Sequence, residues 1–345
     1  MSDADLKMTA QPMVALVSFD SLGDSLIYIS MASNLNANGY RVTLFGDIPY
    51  HMGDWLPDLD IRPYPPEGEW DRTLDRFDLA IVCPPTFIRN QMDQDLTTKL
   101  LEKWVLICQR APEAWHLDHS ARARNIEPAK NKAISNLLNC GGSIRYKLFR
   151  TESVVDISQE YMREKMRLTK VNRLPPVRPP EGLQHRRYPK RIIISPDSAG
   201  PENKNWRPRG FLELAMRLRD LGYDPVIVVA PKHHSYWKDM PGNIFNTPKF
   251  DNVGSLSSYL YESGLVVAND SGNGHLASFL NIPVVTIYRK RNPKFHWRPD
   301  WGPGKVVCPI ISLPFQNGRL WKYLVSVNQV IKAIDELLNQ NTNLE

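Results

Sequence analysis

Residues 13 to 39 read MVALVSFDSLGDSLIYISMASNLNANG, and their pattern decides the fold. Met13 to Phe19 is a short apolar run. After Asp20-Ser21-Leu22-Gly23-Asp24, the apolar residues Leu26, Ile27, Ile29, Ala32 and Leu35 recur at helical spacing, and Gly39 stands where a helix would stop. The stretch therefore reads as strand, turn and helix. The alternation continues outward. Arg41 to Phe45, Leu79 to Cys83 and Val105 to Cys108 are strand-like, with helices expected around Trp70 to Phe77 and from about Asp93 to Lys103. Such a βα series implies a parallel sheet.

A charged helix is expected over Ser153 to Thr169, and composition then changes. Residues 172 to 189, NRLPPVRPPEGLQHRRYP, hold five prolines. Proline lacks a backbone donor and fixes φ, so this segment reads as an extended linker between domains. A second series follows, with strands at Arg191 to Ser195, Pro225 to Ala230, Gly264 to Ala268 and Ile282 to Tyr288. Phe211, Leu214, Ala215, Leu218 and Leu221 mark a helix ahead of Gly222, and Leu324, Val327, Val330, Ile331, Ile334 and Leu337 mark a last amphipathic one. The predicted architecture is α/β, with two doubly wound, Rossmann-like halves on either side of a proline-rich hinge. A length of 345 residues agrees, because single cores tend to split beyond ~250 to 300 residues.

Bulk composition excludes several classes. At 42% hydrophobic and 23% charged the chain is globular rather than disordered. No apolar run approaches the ~18 to 20 residues of a membrane-spanning helix. Met1 to Pro12 carries Asp3, Asp5 and Lys7 without an apolar core, so it reads as a flexible N-terminus rather than a secretory signal, and a cytoplasmic location is expected. Cys83, Cys108, Cys140 and Cys308 lie far apart with no CxxC pair, which suggests neither a zinc site nor a redox dithiol. The formal charge is +6, but the basic residues cluster: Arg122, Arg124, Lys130, Lys132, Arg145, Lys147 and Arg150 in one stretch, Arg289, Lys290, Arg291, Lys294, Arg298 and Lys305 in another. Such fields attract phosphates or an anionic membrane surface when they are more than a solvated face. No nucleic-acid-reading motif accompanies them, so nucleic acid is not an expected partner.

In doubly wound folds ligands sit outside the carboxyl ends of the strands, so the loops after strands are the candidate sites. The first is Ser18 to Asp24, where Gly23 allows close backbone approach and Asp24 starts a helix; read alone, Asp24 is a helix cap. Asp20 is a second carboxylate at the same mouth. The second is Pro196 to Trp206, in which Ser198, Ala199 and Gly200 precede Lys204. A lysine just before a helix suits a phosphate, although the P-loop pattern is absent and a surface lysine is the plain alternative. The third is Ala268 to Ala277, where Gly272 and Gly274 leave amides bare at a helix N-terminus, a ready anion site. Asp270 there can accept a hydroxyl or stabilise the helix start, and His275 can contact a phosphate or serve only structure.

At these loops the sequence resembles the ADP-heptose glycosyltransferases of glycosyltransferase family nine, which include the lipopolysaccharide core heptosyltransferases. The matching pieces are SLGD at 21 to 24, KNW at 204 to 206, NDSGNGHLA at 269 to 277, NIPVVTIY at 281 to 288 and WGP at 301 to 303. The resemblance covers most of the chain and is weakest between about 110 and 185. It implies a GT-B arrangement: residues 13 to 171 as acceptor domain and 190 to 345 as nucleotide-sugar domain, facing a central cleft. It implies Asp24 as general base, and Lys204 as countercharge of the donor diphosphate. Ser198, Ala199, Gly200, Asp270, Ser271, Gly272, Asn273, Gly274 and His275 would join Lys204 in holding the nucleotide sugar. Ser18, Asp20, Ser21 and Gly23 would line the acceptor side. The implied reaction is metal-independent inverting transfer of a sugar, heptose from ADP-heptose in the first instance, to a glycan or glycolipid hydroxyl on an acceptor that can itself be phosphorylated. No metal and no cofactor are expected.

The chain departs from the family pattern at Ser18 and Asp20, at Asn273, and at Arg289-Lys290-Arg291 after the strand IPVVTIY. Two other readings stay open. Gly272 to Ala277 is also a GxGxxA, and Arg289-Lys290-Arg291 could meet an NADP 2′-phosphate, which would make an oxidoreductase. The chain could also bind a nucleotide sugar without catalysis, or act on a protein acceptor.

Overall fold

The computed structural model describes residues 11–116, 134–146, 152–289, 298–310 and 320–342. The expectations for residues 1–10, for Arg122, Arg124, Lys130, Lys132, Lys147 and Arg150, and for Lys290, Arg291 and Lys294 lie outside the described residues. The chain forms two compact units that divide between Arg178 and Pro179.

In the first unit, β1 (Met13–Val17) leads into α1 (Leu22–Ala37) and β2 (Arg41–Phe45). Gly39 reverses the chain between them at φ +88°, a left-handed conformation that costs glycine little. There follow β3 (Asp60–Arg62), β4 (Leu79–Val82), α2 (Gln94–Lys103), β5 (Val105–Cys108), β6 (Gly142–Ser143) and α3 (Val154–Glu164). The strands are parallel in the order β3-β2-β1-β4-β5-β6, that of a dinucleotide-binding half. Leu79–Val82 and Val105–Cys108 are buried throughout, as strands covered on both faces must be. Asn34 is fully enclosed in α1, and its amide makes paired bonds to the backbone of Asn172 (3.0 and 2.7 Å), fastening the start of the proline-rich segment to this unit.

The second unit runs β7 (Tyr188–Ser195), α4 (Pro208–Asp220), β8 (Asp224–Ile227), α5 (Val253–Tyr261), β9 (Ser263–Asn269), α6 (Gly272–Phe279), β10 (Val284–Ile287), β11 (Gly304–Val307) and α7 (Val327–Thr342). Its sheet is also parallel, in the order β11-β10-β9-β7-β8. Trp206 anchors the core: it is 1% exposed, its indole donates to Val325 O at 3.2 Å, and its ring meets Phe211 edge-on at 5.2 Å. Burial of such a side chain stabilises by about 1.5–3 kcal/mol. Trp206 of the KNW motif is thus a core residue that fixes the backbone two positions after Lys204.

Several details differ from expectation. β7 begins at Tyr188, inside the segment read as linker, and the helix expected over Trp70 to Phe77 ends at Leu74. Phe77 instead packs edge-on against Phe45 at 5.8 Å. The short strands β3, β6 and β11 were not expected; with two to four residues each, they hold too little apolar period to read. The WGP motif is structural, since Trp301 N and Gly302 N both donate to Ser278 Oγ at 3.0 Å and fasten the end of α6.

Candidate functional site

In the first sheet the strand order reverses between β1 and β4, and Asp24 lies on the loop–helix junction at that switch point. Ser21 is the N-cap of α1 and Asp24 its third residue, so Asp24 is not the cap. The Ser21 hydroxyl makes no capping bond. It donates instead to Asp24 Oδ2 at 2.5 Å. Burial raises the Asp24 pKa above the ordinary 3.8, against the Ser21 bond and the nearby Arg89 charge, which lower it; the Asp20 charge raises it, and Gln109 lowers it. The result is a carboxylate costly to keep charged, which makes it a better proton acceptor once ionised.

Asp20 and Ser18 sit differently from expectation. Asp20 accepts bonds from Thr86 N (3.0 Å) and Thr86 Oγ1 (2.8 Å), so it caps the turn Thr86–Arg89 and clamps together the two sides of the switch point. Ser18 is fully buried, with its hydroxyl 2.1 Å from where a side chain on Gly46 would begin. Its carbonyl accepts from Tyr64 Oη at 2.9 Å. The Ser18 side chain is thus enclosed rather than facing solvent. Gly23 is buried in the first turn of α1. Sequence reasoning missed Arg89, whose guanidinium lies 4.5 Å over the Phe19 ring and donates to Cys83 Sγ at 3.7 Å. It also missed Gln109, just beyond β5.

In the second sheet the order reverses between β7 and β9, and the other two loops meet there. Lys204 Nζ lies 2.8 Å from Asp270 Oδ2, with the lysine side chain 46% exposed and the carboxylate 13%. Asp270 also accepts from Tyr288 Oη at 3.5 Å. Ser198 is buried and donates to Asn205 Oδ1 at 2.5 Å, while Ala199 is exposed and Gly200 half-buried. Asn269, missed in the sequence, ties the loops together: fully buried, it donates to Pro196 O and accepts from Trp206 N at 3.0 Å. Its signal was an amide closing an apolar strand, since a buried amide needs partners on both sides. Asp197 was missed too; it accepts from Ala230 N (3.2 Å) and Trp237 Nε1 (3.1 Å) and lies 3.0 Å from His233 Nδ1.

Ser271 is the N-cap of α6, and its hydroxyl is buried without a hydrogen-bond partner. Gly272 and Asn273 follow in the half-exposed first turn, where helix amides lack internal acceptors. Asn273 Nδ2 donates to Ser195 Oγ at 2.9 Å, holding α6 to the end of β7. A side chain on Gly274 would stand 3.3 Å from Ala268 Cβ, so glycine lets helix and strand approach closely. His275 is 1% exposed. Burial lowers its pKa to about 4, against the attraction of Asp270 and with the repulsion of Lys204. A neutral, enclosed imidazole supplies no cation to a phosphate at neutral pH. The positive end of this site is therefore Lys204 and the α6 amides.

Of the basic stretch 289–305, Arg289 is exposed, Arg298 pairs with Asp300 at 3.6 Å and Lys305 pairs with Glu336. Among the described residues no group of three or more His, Cys, Asp and Glu is placed to hold a metal, and no helix is long and apolar enough to cross a membrane.

No curated protein sequence matches the chain. The family model for glycosyltransferase family 9 (heptosyltransferase) matches residues 146–310. Among solved structures, the chain is similar to ADP-heptose lps heptosyltransferase II of E. coli, at 15% identity and a TM-score of 0.64 over 96% of this chain and 99% of that one. It is similar to a glycosyl transferase family 9 protein of Veillonella parvula DSM 2008, at 18% identity and 0.66 over 95% and 97%. It also resembles E. coli heptosyltransferase WaaC with ADP, at 14% and 0.56 over 94% and 99%. The chain has the α/β fold of these structures, with two Rossmann-like units of the GT-B type, and the family 9 match spans the loops of Lys204 and Asp270.

Proposed function

We propose that the chain moves a sugar, heptose from ADP-heptose in the first instance, to a hydroxyl of a glycan or glycolipid by metal-independent inverting transfer. The observation that carries this reading is the meeting of Lys204, Asp270, Ser271 and the α6 N-terminus at one switch point, inside the span matched by the family model. A nucleoside diphosphate gains negative charge as it departs, and a half-exposed lysine beside bare helix amides is suited to receive it. Asp270 orients Lys204, and the Ser271 hydroxyl has its donor left for a phosphate or sugar oxygen. Ser198, Ala199, Gly200, Gly272, Asn273 and Gly274 shape the backbone around the donor, with His275 as support beneath.

In the first unit, Asp24 takes the proton of the attacking acceptor hydroxyl. An alcohol is a poor nucleophile until that proton has somewhere to go. Ser21 steers the carboxylate, Gly23 leaves room at the first turn of α1, and Asp20 holds the loop rather than the acceptor. Peripheral contact with an anionic membrane would run through Arg289 and the basic residues after it; vesicle association unaffected by salt would remove that part of the reading.

Calorimetry against ADP, UDP, GDP and NADP tests the donor. ADP binding that is lost in Lys204→Ala supports the proposal. UDP or GDP binding would keep the transferase and change its sugar. Binding of NADP alone would replace it with the oxidoreductase reading of Gly272 to Ala277 and Arg289.

A further inference from the structure

A cavity of about 190 Å³ opens on one face of the first sheet, at its β2–β3 edge, and no residue of the Asp24 loop lines it. Arg41, Thr43 and Phe45 alternate onto this face of β2, and the parallel register Thr43↔Asp60 and Phe45↔Arg62 sets both charged residues of β3 beside them. Arg76 and Phe77 form the facing wall. That wall is held in place, since Phe77 meets Phe45 edge-on at 5.8 Å and the next residue, Asp78, accepts from Met13 N at 2.8 Å. The space is left because the helix between β3 and β4, Trp70–Leu74, has five residues. Its length of about 7.5 Å covers less than half of a strand that runs about 17 Å.

The cavity is cationic. Three guanidinium groups, Arg41, Arg62 and Arg76, line it with one carboxylate, Asp60, for a net charge of +2. Asp60 is already committed: Arg62 forks onto it from Nε at 3.2 Å and Nη2 at 3.1 Å, and Thr43 Oγ1 donates to it at 2.7 Å. Burial raises the Asp60 pKa, but the bonds from Arg62 and Thr43 and the charges of Arg62 and Arg41 outweigh it and hold the carboxyl below 3.8. Among the described residues no carboxylate pairs with Arg41 or Arg76. Like charges gathered in one concavity with aromatic walls focus a field that draws in anions.

We propose that this cavity binds a small dianion of the phosphate class, held by Arg41 and Arg76 with Arg62 shared between the anion and Asp60. Two properties select the ligand. Pockets for drug-sized ligands run from ~300 to 1,000 Å³, so about 190 Å³ takes a phosphoryl group with few further atoms and is too small to enclose a nucleotide. The excess charge of +2 matches a phosphate group, which carries about −1.5 to −2 at neutral pH and accepts the planar fork of a guanidinium. With neither Asp24 nor Lys204 among its lining residues, the cavity is a site apart from the proposed transfer chemistry.

The test labels the full chain with phenylglyoxal, which modifies accessible arginines, and follows each one by peptide mass spectrometry. Inorganic phosphate, glycerol 3-phosphate and acetate are titrated separately at constant ionic strength. The proposal expects phosphate to protect Arg41 and Arg76 saturably while Arg217, an exposed arginine of α4, is modified as before. Saturation at a lower concentration of inorganic phosphate than of glycerol 3-phosphate identifies the free ion as the occupant, and the reverse order identifies a phosphomonoester; acetate acting as well as phosphate would overturn the dianion. A second measurement reads thermal stabilisation by phosphate in Lys204→Gln, where the donor loops lack their cation. Stabilisation should saturate there, and adding Arg41→Gln or Arg76→Gln should weaken it about tenfold or more. Equal protection of Arg41, Arg76 and Arg217, or a thermal response that the added substitutions leave unchanged, would overturn the site. The arginines would then serve only as charges that keep edge strand β3 from pairing with another sheet.

Discussion

Lys204 Nζ and Asp270 Oδ2 stand 2.8 Å apart, although 66 positions separate them in the chain. Asn269 supplies the reason. Its amide grips Pro196 O and Trp206 N, so the loop after β7 is drawn onto the end of β9 with Lys204 carried over Asp270. With the lysine side chain 46% exposed, the pair contributes little to stability and keeps the cation within reach of an anion.

Lys204→Ala should weaken ADP binding by about tenfold or more and slow transfer, since bound diphosphate and leaving group both lose a charge-assisted bond. Urea unfolding should shift by no more than about 1 kcal/mol, as for other exposed pairs. Unchanged calorimetry in this variant would remove Lys204 from the site.

Asp24→Asn should abolish transfer while leaving ADP affinity as in wild type, and it should raise the melting temperature at neutral pH. The folded-state pKa is raised above 3.8 chiefly by burial. The folded protein thus holds more protons than the unfolded one between 3.8 and that raised value, and wild-type stability falls as pH climbs through the interval. The asparagine variant bears no such charge. Its advantage should be nil at the acid end, grow across the interval and persist at pH 7; a variant less stable than wild type at pH 7 would contradict the burial argument.

His275→Gln should flatten an acid-side loss of stability. The imidazole pKa is lowered to about 4 when folded, against about 6.5 when unfolded. The unfolded chain therefore binds the extra proton between these values. Stability due to His275 is full above about 6.5 and is lost as pH falls towards 4, on the order of 3 kcal/mol in all. Chemical denaturation at pH 7, 5.5 and 4.5 would measure this slope in both proteins.

Thr86→Val should cost about 0.5–1.5 kcal/mol by removing the hydroxyl bond to Asp20 and leaving the backbone one. Because the clamp joins the two sides of the first switch point, turnover should fall while ADP affinity stays constant. A full rate in the variant would show that the clamp serves folding only.

Much of this molecule is legible without coordinates. The apolar runs at Met13, Leu79, Val105 and Gly264 announce buried parallel strands, because a strand covered on both faces can carry no alternation. Helical spacing from Leu26 to Leu35 announces α1, and loops after strands announce where Asp24, Lys204 and Asp270 stand. These are local signals, set by side-chain period and by the restrictions of proline and glycine. Short strands such as Asp60–Arg62 escape them, for three residues define no period. Which loop residue faces a ligand and which is tied down depends on partners distant in sequence: Phe45, Gly46 and Tyr64 for Ser18, Thr86 for Asp20, Asp270 for Lys204. The charge states of Asp24 and His275 arise the same way. Sequence by itself determined the elements and their order, since these follow from local periodicity; burial, partner and charge state were decided only by the tertiary structure, because each depends on atoms that folding brings together.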